Sequence, residues 1–554
     1  MITEIGLKFG PRGSSESFSF DPGVTTVFVG PNNSGKSLLL REIEEFCRAG
    51  EAQLHDRLRM LAKLSVSLPD FSEIASFLSH RVVGAEDTES RSVHEMQPTG
   101  DGPSSIGPLN LDLLRQALET GIPPHYPFLF YVRLVTVRLD GKTRLRLTEP
   151  KSAGNLQNHP ANILMALVKN NRAREEVRKL INDAFGSYFV IDPTAMTEFR
   201  VRLANRAPLT HEELGLDEQA RNFHSSAADI NIFSDGVKAY TGLIAAVMCS
   251  EYRILLIDEP EAFLHPPLAK KLGYTLATIS AHRKGTILAS THSADFLMGC
   301  IESGQPVNVI RLTFSADVPT VRALASDKLR AMLRNPLLRS TNVLTALFHS
   351  GAIVCEADAD RALYEEINLR LATFGDKAAT DCVFLNAQNK QTVVRISSPL
   401  RQMGIPAVAV VDLDILKGSD DFKKLLHGCN VPQALINSWG ALRGEIYERM
   451  KTEAIDPKYD GLSKLNTETQ ESLSSLLRNL QTYGIFVPPE GSMESWLRDL
   501  GASGYSAEWL LNVFEKLGND PAEANYIKPS RGDVWDFLRS IGSWVCNPAR
   551  HGMP

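Results

Sequence analysis

Two groups of residues in this chain have the types and spacing to do chemistry. The first is the run VFVGPNNSGKS, residues 27–37, in which Gly30 is followed by four residues and then Gly35, Lys36 and Ser37. Glycines at that spacing let backbone amides turn inward around a phosphate, with Asn33 inside the same loop. The Lys36 ammonium adds charge, and the Ser37 hydroxyl can ligate magnesium. The second group lies far downstream. Glu356 and Asp360 follow the apolar run AIVC, and Asp412 and Asp414 stand two apart after AVAVV. Several carboxylates cannot share a pocket fully ionised unless cations neutralise them. Magnesium or manganese would do so, and a pair of such ions suits phosphodiester cleavage.

Further residues extend the first group. ILLIDE places Asp258 at the end of an apolar strand, where it can hold magnesium through water, and Glu259 follows to polarise an attacking water. LASTHS closes another apolar run at His292, which reaches a γ-phosphate if its strand lies beside the phosphate-loop strand. FSDGVKAY, residues 233–240, opens a helix with Ser234 as cap and Gly236 permitting close backbone approach. His265, within DEPEAFLHP, reads as a structural hydrogen-bonder.

The elements that must position these groups alternate between strand and helix. Residues 1 to 45 read strand, turn, strand, phosphate loop, helix. AQLHDRLRMLAKLSVSL and FSEIASFLSHRV read as amphipathic helices. They precede a polar, turn-rich stretch, GAEDTESRSVHEMQPTGDGPSSIGP, that reads as loop. YVRLVTVRLDGKTRLRLTE alternates on both sides of Asp140-Gly141, which predicts a hairpin. Residues 160 to 186 predict helix, YFVIDP and EFRVRLA strands, and the later pieces alternate as a mostly parallel sheet would. After about residue 340 a second alternating unit begins, carrying the acids at strand ends, and the final part is mostly helical. Acids at the C-terminal ends of neighbouring parallel strands converge in space.

The phosphate loop, Asp258-Glu259, His292 and the Ser234/Gly236 helix start together resemble ABC-type ATPases. In that family the signature helix contacts nucleotide held by an opposing subunit, so the resemblance implies ATP between two heads. The acids resemble the TOPRIM domain of topoisomerases, primases and a class of nucleases, with Glu356 and the Asp412/Asp414 pair at its metal-binding positions. Asp360 matches the extra acid of the nuclease branch. That family usually has Gly after its first Glu, whereas this chain has Ala357.

An ABC-type ATPase followed by TOPRIM resembles the OLD (overcoming lysogenization defect) family, to which Gabija-type antiviral nucleases belong. The resemblance implies an α/β fold. An ATPase head occupies residues 1–45 and 126–340, a mainly helical dimerisation insertion 46–125, and a Rossmann-like nuclease domain with helical additions 341–554. It places Lys390 before the helix leading to Asp412, adds Glu494 from GIFVPPEGSMESWL to the metal-binding acids, and makes Lys528 of YIKPS a stabiliser of the scissile phosphate. It implies DNA as substrate, ATP and Mg2+ or Mn2+ as cofactors, defence against phage, and assembly as a dimer or tetramer. A helicase-like or reverse-transcriptase partner encoded nearby is also implied.

Composition bounds these readings. The chain has 554 residues, 43% of them hydrophobic and 22% charged, and a net charge of −6. No global basic field draws nucleic acid, so DNA contact must come from local patches or bridging metal ions. No run approaches the roughly eighteen apolar residues of a membrane span, and the first residues lack a basic stretch followed by an apolar one. The seven cysteines are scattered without a CxxC pair, which predicts reduced thiols and a cytoplasmic protein. Two other functions fit the same motifs less closely. One is an ATP-driven DNA clamp or repair scaffold with an inactive TOPRIM half, and the other a nicking-religating or primase enzyme, for which no nucleophilic tyrosine domain is recognisable.

Overall fold

The computed structural model describes residues 1–11, 13, 16–50, 57–83, 92–100, 104–315 and 318–553. The chain forms two compact units that part between Arg330 and Ala331.

The first unit is organised by a six-stranded sheet. Its order is Val318–Leu324, Asn308–Ser315, Thr25–Val29, Thr286–Ser290, Ile254–Asp258, Thr136–Leu139, and only the first pair is antiparallel. Thr25–Val29 and Thr286–Ser290 are buried along their whole length, as is Ile254–Asp258 up to its last residue. That explains why these strands read as unbroken apolar runs: a parallel strand covered by helices on both faces has no polar side. The helix Lys36–Ala49 packs Leu39, Leu40, Ile43 and Phe46 into the same core as Phe28, Leu256 and Leu288.

Three expectations fail here, each for a physical reason. The alternation around Asp140-Gly141 does not make a hairpin; Thr136–Leu139 is a strand and Gly141–Arg146 a helix. Asp140 accepts from the amides of Lys142 and Thr143 at 3.0 and 2.9 Å, while Thr143 Oγ1 accepts from the Asp140 amide at 2.8 Å. An aspartate before glycine serves a helix cap as well as a turn, and the threonine three residues on decides for the cap.

The predicted helix within AQLHDRLRMLAKLSVSL is instead the strand Leu61–Val66, paired antiparallel with Ile2–Leu7; residues 52–56 of that stretch lie outside the described residues. The Glu42 carboxylate accepts from the amides of Arg59, Met60 and Leu61 at 2.7, 3.0 and 2.8 Å. A partner strand and a buried carboxylate thus supply the backbone bonds that local pattern assigned to a helix. The polar stretch beginning at Gly84 is not all loop either. Residues 84–91 and 101–103 lie outside the described residues, but Ser92–Glu95 and Ser104–Pro108 pair antiparallel. Segment 46–125 is therefore mixed rather than mainly helical, with Phe71–Ser79 and Leu111–Thr120 as its helices beyond Gly50.

The second unit is built on an all-parallel sheet in the order Cys382–Asn386, Gly351–Cys355, Ala407–Val410, Ile485–Phe486. The helices Asp358–Thr373 and Lys390–Gln402 join the first three strands in sequence, and the helices Gln433–Thr452 and Thr467–Thr482 precede the fourth. Tyr364, Phe486, Trp496, Trp535 and Phe537 form its core.

Arg401 closes the underside. Its fully buried guanidinium donates to the carbonyls of Ala407, Cys429, Tyr483, Gly484 and Gly552 at 2.8 to 3.2 Å. Removing it strands several buried acceptors at once. Arg401→Met is therefore expected to destabilise this unit by about 3 kcal/mol or more, read as a lower denaturant midpoint. A midpoint equal to the parent's would show that water replaces the guanidinium.

Candidate functional site

Because the phosphate-loop strand lies between two parallel neighbours, its C-terminal turn opens on the same sheet edge as Asp258 and His292. Thr291 N donates to Phe28 O at 3.1 Å, and Glu259 N to Ser290 O at 2.9 Å, which ties the three turns together. Gly30 has φ +140°, and a Cβ there would lie 1.9 Å from the Leu312 carbonyl oxygen; Asn33 and Gly35 also take positive φ. The Lys36 ammonium donates to Gly30 O and Pro31 O at 2.8 Å each and to Ser34 Oγ at 3.2 Å. Burial pulls its pKa down to about 8, against the opposing pull of Glu259, Asp258 and Glu261.

Ser37 Oγ donates to Asp258 Oδ1 at 2.9 Å, and Ser290 Oγ donates to the same oxygen. These are the two side chains between which a nucleotide's magnesium would be shared. Glu259, held at φ +51°, faces His292 Nε2 at 3.8 Å. Burial, and next Lys36, lowers the His292 pKa, which keeps the imidazole neutral beside the loop.

Two residues of this site escaped the sequence reading. The Glu261 carboxylate accepts from His292 N at 2.8 Å, and burial raises its pKa. Arg144 is fully buried and donates to the Asp258 and Asp140 carbonyls at 3.1 Å each. Glu261 stands inside the quoted DEPEAFLHP run and could have been found there; Arg144 was hidden in the supposed hairpin. Ser234 makes no side-chain cap bond, and a Cβ on Gly236 would meet Phe263 O at 2.7 Å, so that glycine does serve close backbone approach. His265 is exposed and gives its helix no side-chain cap; only its carbonyl accepts, from Leu268 N and Ala269 N.

In the second unit, Glu356 and Asp412 follow adjacent parallel strands, and Asp412 N donates to Glu356 Oε2 at 3.3 Å. Asp360 sits in the first turn of Asp358–Thr373 and accepts from Ala357 N at 3.0 Å. Ala357 has φ −128°, extended backbone that alanine adopts freely, so no glycine is needed there. Asp414 accepts from Lys390 Nζ at 2.8 Å through Oδ2, while its Oδ1 is buried without a partner. Glu494 accepts from Ser492 Oγ at 2.6 Å and Ser506 N at 2.9 Å.

The acids act on one another. Burial first, then Asp360, Glu356, Asp414 and Glu494, pushes the Asp412 pKa up to about 9. Burial lifts Asp360 to about 7, opposed by the Ala357 amide and assisted by Glu356 and Glu494. Burial also raises Glu356. Among the described residues, no three acid, histidine or cysteine groups stand close enough to enclose an ion. Each acid except Asp412 is turned onto a protein donor. A cation would draw on the carboxylates those donors hold and on the unpartnered Asp414 oxygen, so the donor set fits a hard divalent ion.

Lys528 is not brought to this cluster. Its ammonium lies 5.8 Å from the Phe374 ring centroid, just past the end of the helix that carries Asp360 in its first turn, about 20 Å along the axis. Arg370 anchors it there by donating to Ile527 O at 3.0 Å and stacking on Tyr526. Besides Lys390, Lys458 acts on the acids: its charge acts on Glu356 and is acted on by Asp414. No motif marks it.

Residues 162–299, from the helix Ile163–Lys169 through Asp258 to His292, match the family described as AAA domain, putative AbiEii toxin, Type IV TA system. Old nuclease of Escherichia phage P2 is 25% identical over 308 residues. The chain is similar to that nuclease over part of its length. The match covers 52% of this chain and about half, 50%, of that relative's length. An Smc head solved with the C-winged helix domain of ScpA is 14% identical, with a TM-score of 0.35 over 60% of this chain and 99% of that one. The SMC head domain from Thermotoga maritima is 16% identical, with a TM-score of 0.31 over 58% of this chain and 99% of that one. The first unit has the strand order and phosphate-loop geometry of a P-loop nucleotide-binding fold, and part of it matches the AAA-domain family.

The raised acids make stability depend on pH. Unfolded, Asp360 and Asp412 titrate near pH 4, so their protonated forms favour folding fully below that pH. The contribution is lost as pH rises through about 7 and about 9. In chelator, Asp412→Asn, neutral at every pH, should flatten the decline and gain about 1 kcal/mol or more near pH 8 in denaturant titrations. Parallel curves for the two proteins would contradict the assignment.

Proposed function

We propose that this protein is an ATP-regulated, divalent-metal-dependent DNA endonuclease acting in defence against phage. One observation carries the reading. Glu356, Asp360, Asp412, Asp414 and Glu494 gather at one end of a parallel sheet, where burial and then the neighbouring carboxylates raise the proton affinity of Glu356, Asp360 and Asp412, a charge conflict that divalent cations resolve. These five residues would hold the metal, in the manner of a TOPRIM nuclease. When bound, Mg2+ or Mn2+ supplies an acidified water and neutralises charge on the phosphate. The chain's own residues set the stage: Asp412 N orients Glu356, Ala357 N orients Asp360, and Lys390 competes for Asp414.

In the ATPase head, Lys36 and Ser37 would take the phosphates and their magnesium, Glu259 would polarise water, and His292 would sense the γ-phosphate. Ile232 and Phe263 flank Gly236 at 76% and 51% exposure, apolar surface suited to an opposing head. We propose a dimer or tetramer on that exposed surface; similarity to Old nuclease supports DNA as substrate, and a helicase-like or reverse-transcriptase partner belongs to the same reading. No helix among the described residues is long and apolar enough to cross a membrane. The alternative of an inert TOPRIM half drew its support from Ala357, and the extended backbone there removes that support.

Purified protein with Mg2+ or Mn2+ should nick or cut plasmid DNA, and Asp412→Ala should slow this by at least about a hundredfold. Wild-type rates from that variant would end the assignment. Lys36→Ala should weaken ATP binding by about tenfold or more while metal-dependent cleavage persists. Loss of both activities in a folded Lys36→Ala protein would refute the division between nucleotide site and cutting site.

A further inference from the structure

Lys458 reaches the acids through two packed turns. Its carbonyl oxygen lies 3.0 Å from where a Gly491 Cβ would stand, and Gly491 O accepts from the amide of Leu413, the residue between Asp412 and Asp414, at 2.9 Å. Leu462 N donates to Pro489 O at 2.9 Å and joins the same turns a second time. The Lys458 ammonium is salt-bridged to no carboxylate among the described residues. It lies 5.7 Å from the ring centroids of both Tyr459 and Tyr505. Tyr505 immediately precedes Ser506, whose amide holds Glu494.

Both rings stand in water, Tyr459 at 63% and Tyr505 at 51% exposure. One exposed tyrosine is ordinary surface. Two that share an ammonium, on turns packed against the segments of Leu413 and Glu494, set a cation and two π-faces next to the acid-bearing turns. A pocket this acidic repels a phosphodiester, so a cation there draws the backbone in. In a paired duplex each base face is taken by its neighbours; only an unpaired base can stack on a tyrosine.

We propose that Lys458 binds the scissile phosphate and that Tyr459 and Tyr505 stack the flanking bases, so the substrate class is DNA with unpaired bases at the cut. This rests on the nuclease reading above. The test uses fluorescein-labelled oligonucleotides of one sequence as single strand, full duplex and duplex with a central unpaired stretch. Cutting is followed in Mn2+ and binding, by anisotropy, in Ca2+. The unpaired substrates should be bound and cut about tenfold better than the duplex. Tyr459→Ala and Tyr505→Ala should each lose that preference, Tyr459→Phe and Tyr505→Phe should keep it, and Lys458→Ala should slow cutting of all three DNAs by about tenfold or more.

Equal handling of duplex and unpaired DNA by the parent, preference retained in the alanine variants, or parental cutting by Lys458→Ala overturns the proposal. If no DNA is cut but the tyrosine-dependent binding preference holds, the nuclease reading falls and the strand recognition stands. If neither is seen, both fall.

Discussion

A carboxylate at the end of a buried parallel strand must be neutralised, and both units are arranged around that requirement. Such strands enter apolar surroundings on both faces, so an acid at their end keeps little water. In the first unit Asp258 meets the requirement with hydroxyls, from Ser37 and Ser290, while Arg144 braces its carbonyl. The cluster in the second unit has five acids and too few donors. Lys390 answers for Asp414 and amides for Glu356 and Asp360, which leaves Asp412 to hold a proton at neutral pH. One solution suits a transient cation carried in by a nucleotide, the other an ion bound for its own chemistry.

What could be read from residues alone follows from how local the determinants are. TTVFV, ILLID and AVAV declare themselves because burial on both faces leaves no other pattern, and the acids that close them were therefore legible too. The strand Leu61–Val66 was not, because its partner Ile2–Leu7 and its anchor Glu42 are supplied from elsewhere in the chain. Asp140-Gly141 carries a signal that two structures share, and Thr143 breaks the tie only once the helix exists.

The candidate site shows the same limit. Glu356, Asp360, Asp412, Asp414 and Lys390 lie within a few residues of the strands that place them, whereas Lys458 and Lys528 depend on distant packing. Lys528 is carried to Phe374 by contacts around Arg370, and Lys458 is delivered to the acids by turns that flank a long helical excursion. Register with a family transfers residues; it does not transfer the packing that aims them.

Gly30 shows how tightly nucleotide recognition is built into the plate beneath it. Its missing side chain is room for the Leu312 carbonyl of the neighbouring strand as much as room for a phosphate. Any other residue would have to push that strand away, at a cost typical of overpacked interiors. A genetic screen would therefore score lesions at this position as loss of protein abundance, indistinguishable from a deletion, because an ill-fitting sheet is cleared by proteolysis before its chemistry is ever tested.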